Sequence, residues 1–144
     1  MDIGWAWRGT GWDSDVPARN HAAFVAHFER AEQILAAFDK DTAASPLLAA
    51  THCALLGGTG GDARAVADRY ARLIDLNPEN PRPMRALGAQ MLPRANGSYA
   101  ALELEARRTA ARTQQHWGAG GYTWVYFDAM AIDAQACARA VPQF

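Results

Sequence analysis

Apolar residues recur along this chain at helical steps, and the strict alternation that marks strands is absent. Phe24, Phe28, Ala31, Leu35 and Phe38 follow one another at steps of 4, 3, 4 and 3. That is one face of a long helix, entered through Asp13-Ser14-Asp15 and Pro17 and running to about Asp39. Ser45-Pro46 opens a second helix, SPLLAATHCALL, with serine as N-cap and proline just inside, and GGTGG at 57–61 closes it. Asp62 caps a third helix whose stripe is Val66, Tyr70, Leu73 and Ile74, and Asn77-Pro78 stops it.

A fourth helix starts near Pro81 to Pro83 and carries Met84, Leu87, Gly88 and Met91. The stretch MLPRANGSY then ends it, because Pro93 disfavours helical geometry at Leu92. Asn96-Gly97 turns the chain, and Ser98 caps a fifth helix from Tyr99 to about Gln114. Tyr99, Leu102, Ala106 and Thr109 should face inward there, with Glu103, Glu105, Arg107 and Arg108 largely solvated. GAGG at 118–121 precedes a sixth helix, YTWVYFDAMAI, which is apolar nearly all round and should be buried on several sides. Ala134 to Ala140 forms a last short helix before Pro142, and the residues up to Trp12 form a helical or irregular lead-in. Short turns between helices predict antiparallel pairs. The expectation is an all-α domain of six to seven helices.

Composition agrees, since 32 of the 144 residues are alanine, the best helix former. A formal net charge of −1 leaves no basic footprint for nucleic acid or an anionic membrane. No apolar run approaches the roughly 20 residues of a membrane-spanning helix. The opening MDIGWAWRG has an early aspartate and lacks the basic segment of a secretory signal. Cys53 and Cys137 lie outside any CxxC pair and read as reduced, buried thiols, so a cytoplasmic location is expected.

The stretch from Val66 to Met91 resembles the junction between two tetratricopeptide repeats. Val66, Tyr70, Leu73, Leu76 and Pro78 stand at that family's spacings in a second helix and its turn. Met84, Leu87, Gly88 and Met91 match the next first helix, in which the glycine lets two helices touch. ILAAFDKDTAASP resembles the same turn, with Thr42 in place of proline, 36 residues before Pro78 and close to a family period of about 34. RGTGWDSDV at 8–16, together with LPRANGSY, is also similar to an uncharacterised group of bacterial helical-repeat proteins. Leu92, Pro93, Arg94, Gly97 and Ser98 match that group, whereas Ala95 replaces an aromatic residue and Asn96 a glycine. The resemblance implies a short right-handed stack of helix pairs, with units at about 17–42, 45–78, 79–116 and 117–144.

Catalytic and cofactor signatures are weak. GGTGG follows a helix rather than a strand and lacks the Lys-Ser/Thr of a phosphate loop. His21, His27, His52 and His116 form no i, i+4 pair, so no metal or other cofactor is expected. Ser98 at a helix start reads as a cap before it reads as a nucleophile.

Trp5, Trp7, Trp12, Trp117 and Trp124 gather towards the two ends of the chain, either covering core there or forming an aromatic interface. Arg82 and Arg85 fall on the helix face that lines a repeat groove in the family. A peptide-carboxylate clamp would also want an asparagine where Ala89 stands. Arg94 is the residue of its hinge that turn chemistry does not explain.

The leading expectation is a non-catalytic module that binds a protein or peptide through Arg82, Arg85, Arg94 and Trp124. A small-ligand binder or enzyme with a pocket at Arg94, Asn96 and Ser98 is the second reading. The third is a structural fragment, possible as a homodimer, joined through its tryptophan-rich ends.

Overall fold

The computed structural model describes residues 1–10, 13–41, 44–95 and 97–140, with the side chains of Asp13, Cys137, Arg139 and Ala140 outside the description. Trp12, Thr42, Asn96 and Pro142, each given a role above, lie outside the described residues. Among those described, the chain is helical and contains no strand. The helices are α1 (Asp2–Arg8), α2 (Ala18–Ala36), α3 (Pro46–Gly58), α4 (Ala63–Leu76) and α5 (Arg82–Gln90), followed by α6 (Tyr99–Arg112), α7 (Gln114–Trp117), α8 (Gly120–Ile132) and α9 (Ala134–Ala140). None is long and apolar enough to cross a membrane.

Three of the predicted caps hold, whereas Asp13–Asp15 forms a separate 3-10 turn and α2 starts after Pro17 with no side-chain cap among the described residues. Ser45 accepts a hydrogen bond from the amide of Leu48, Asp62 from those of Arg64 and Ala65, and Ser98 from that of Ala101. Each satisfies an amide that the first turn leaves without a helical partner.

The main core joins α3 to α6, α8 and α9. Val66, Ile74, Met84, Met91, Leu102 and Val125 are fully shielded within it. Helix α8 packs on α5, α6, α7 and α9, as its apolar circumference requires. Gly88 makes the tightest of these contacts, because a Cβ there would run into the carbonyl of Val125. A smaller cluster of Phe24, Phe28, Leu35 and Leu55 ties α2 to α3.

Three expectations need correction. Helix α2 stops at Ala36, and Phe38, in the turn beyond it, is exposed rather than part of the buried stripe. Glu105 is not solvated, and Glu103 is only partly so. Glu105 is buried and meets Arg108 at 2.8 Å, while the carboxylate of Glu103 accepts from the hydroxyls of Tyr122 and Tyr126 at 2.6 and 2.8 Å. The neighbouring α8 brings those donors, which the pattern of α6 alone does not contain. The extra turn α7 was also unforeseen, and it delivers Trp117 so that its indole donates to the carbonyl of Pro78 at 2.8 Å.

Candidate functional site

A cleft of about 620 Å³ opens between the α1–α2 pair and the ends of α3, α5 and α8. Its first wall depends on Gly4, which lacks a side chain where α1 meets Phe28. Trp5 therefore lies against α2, its ring centre 5.1 Å from that of Phe24 and 5.6 Å, edge-on, from that of Phe28. Arg8, on the last turn of α1, donates to the carbonyl of Gly9 and holds its guanidinium 5.7 Å from the centre of the Trp5 ring.

GGTGG forms the floor. A Cβ on Gly58 would strike the Phe28 ring and one on Gly57 would meet the side chain of Gln90, so these glycines permit close packing. Gly60 has φ +74°, a left-handed turn that favours glycine. The opposite wall comes from Ala89 and Gln90 of α5, from Arg94 and Ala95 of the hinge, and from Ile132.

The lining combines an aromatic and aliphatic surface with two guanidinium groups, Arg8 and Arg94, against one carboxylate, Glu29. Arg94 is exposed, and no described side chain pairs with it. The Thr59 hydroxyl in the lining is already committed to the carbonyls of Leu55 and Leu56. Ser98 does not line the cleft; its hydroxyl caps α6. Burial pushes the Cys53 thiol up to about 11, an effect that the nearby charge of Arg69 offsets only in part, so the thiolate needed for nucleophilic chemistry is scarce at neutral pH. Among the described residues, no three His, Cys, Asp or Glu side chains gather as a metal site would need.

The other sequence-selected residues lie elsewhere. Arg85 and Trp124 share one face, bridged by Phe127: the guanidinium of Arg85 sits 5.0 Å from the Phe127 ring centre, and the Trp124 ring is 5.6 Å from it. Trp124 continues edge-on to Trp117 at 5.5 Å. Arg85 is bound to Asp128 on this face, while Arg82 is exposed at the start of α5. Arg94 thus separates from the other three. Sequence reasoning did not select Arg8 and Glu29, nor place Trp5 in one cleft with Arg94, because the cleft is made by helices distant along the chain. It also missed Asp128, though a lone acid in the otherwise uncharged YTWVYFDAMAI was a visible signal.

Comparison of the chain with protein families, curated proteins and solved structures gives no match.

Proposed function

We propose that this chain is a non-catalytic binding module whose cleft takes a peptide segment pairing an acidic group with an apolar side chain. The observation that carries this reading is Arg94, which pairs with no side chain among the described residues and stands on a cleft whose far wall is Trp5, Phe24 and Phe28. A guanidinium in that position offers a forked donor to a carboxylate, and the aromatic wall offers an anchor for an apolar side chain. A tetratricopeptide-like stack of paired helices is part of the proposal. It is supported by the succession of contacts from α3 to α4, α4 to α5, and α5 and α6 to α8, with Gly88 at the closest approach.

Selection of a random peptide library on the purified chain tests this. Enriched peptides should join Asp or Glu to an aromatic or aliphatic residue, and Arg94→Ala should weaken them at least tenfold with unchanged circular dichroism. Failure to enrich any sequence, or full binding by the variant, overturns it. The cleft volume, which lies in the range of small-molecule sites, favours a second reading as a small-ligand binder at the same place. Quenching of Trp5 fluorescence by metabolites, with none by peptides, selects that reading.

A further inference from the structure

A second cavity, of about 300 Å³, lies between α3 and α4 beside the turn that follows α2. His52 contributes to it from α3, and Arg69 and Arg72 contribute from one face of α4. The Nε2 atom of His52 is shielded from solvent and has no hydrogen-bond partner among the described residues. Its nearest carboxylate oxygen, on Asp39, stands 3.6 Å away, beyond hydrogen-bonding reach. A shielded polar nitrogen without a partner calls for an occupant that supplies one. Neither Arg69 nor Arg72 forms an ion pair among the described residues, and Asp75, the other acid of the lining, is held by Arg112 at 2.6 Å.

Three donor-bearing side chains from two helices therefore surround one small void. Two guanidinium groups repel a cation, which disfavours a metal there. A carboxylate offers two oxygens, whereas a phosphate group offers enough to meet all three donors at once. Asp39, 65 % exposed on its side chain, partly occupies this electrostatic role from the solvent side and competes with an incoming anion.

We propose that this cavity binds an oxyanion of the phosphate class, held by Arg69, Arg72 and the Nε2–H of His52. The site is separate from the peptide cleft and stands whether or not that reading does.

The test is thermal unfolding of the full chain in millimolar sodium phosphate, against sodium chloride and sodium acetate at equal ionic strength. The melting temperature should rise saturably with phosphate and less with acetate. Arg69→Gln combined with Arg72→Gln should abolish the rise, Arg64→Gln outside the cavity should keep it, and Asp39→Asn should tighten binding several-fold. In wild type, the ring resonances of His52 should shift along the same titration, which keeps the test open even where the double variant does not fold. A phosphoserine peptide binding more tightly than inorganic phosphate assigns the anion to a phosphorylated chain, and the reverse order assigns it to free phosphate. Absence of saturable stabilisation, equal stabilisation by acetate, retention of the effect in the folded double variant, or an unmoved His52 signal each overturns the proposal.

Discussion

Arg85 of α5 clasps Asp128 of α8 through a forked contact, with Nη2 at 2.7 Å from Oδ1 and Nε at 3.1 Å from Oδ2. The pair is partly exposed and spans the two helices that pack most extensively against each other. The hydrogen bond to Asp128, ahead of its charge, raises the pKa of Arg85 further above its ordinary value. Arg85→Ala and Asp128→Ala should each lower the melting temperature slightly, and the double variant should lose less than the sum. Raising salt should shrink that coupling, since exposed pairs are screened. Arg85→Lys should not restore it, because an ammonium cannot make the forked contact. Strict additivity in the cycle would show that the contact contributes nothing.

Gly88→Ala sets two effects against each other. Alanine favours a helix by about 1 kcal/mol relative to glycine. Its Cβ, however, would collide with the carbonyl of Val125, a backbone atom that cannot rotate aside. Separating α5 from α8 disturbs the best-shielded part of the core, so overpacking should win with a net loss of about 2 kcal/mol. Urea unfolding measures this, and a variant as stable as wild type would contradict the close approach.

Ser98→Ala should cost about 1 kcal/mol, because the Ser98 hydroxyl oxygen accepts the Ala101 amide at 3.1 Å as an N-cap. Ser45→Ala should cost less, since its bond to Leu48 is longer, at 3.4 Å. Peptides bound in the cleft should be unaffected by Ser98→Ala. A specific loss of ligand affinity there, with stability intact, would return Ser98 to the functional residues.

Stability should decline at both extremes of pH through Glu103 and its two tyrosines. Burial raises the pKa of Glu103, but hydrogen bonds from Tyr122, Arg107 and Tyr126 outweigh it and bring the carboxyl below its usual value. Its contribution is therefore present above the unfolded value of about 4.3 and is lost as pH falls through the lower folded value. Burial, followed by the hydrogen bond to Glu103, pushes Tyr122 up to about 12, and the same causes push Tyr126 higher. Their contribution is complete below the unfolded value of about 10 and disappears as pH rises through the folded values. Chemical denaturation across pH should show both declines, with Glu103→Gln flattening the acid limb and Tyr122→Phe easing the alkaline one. All four tyrosines ionising near pH 10 in the native protein, followed at 295 nm, would refute the alkaline part.

Local chemistry determined much of the secondary structure. Ser45, Asp62 and Ser98 cap where their side chains and the following prolines or apolar runs require, and Val66, Tyr70, Leu73 and Ile74 are all buried on the face their spacing marks. These outcomes depend on residues within a turn or two of one another, so they are readable along the chain. Packing decided the rest. Glu103 is drawn partly out of solvent because α8 supplies two hydroxyls, Arg94 becomes a cleft residue because α1 and α2 stand opposite it, and His52 joins Arg69 and Arg72 because α3 lies on α4. A side chain's spacing says which face of its helix it occupies, but only the neighbouring helix determines what that face meets.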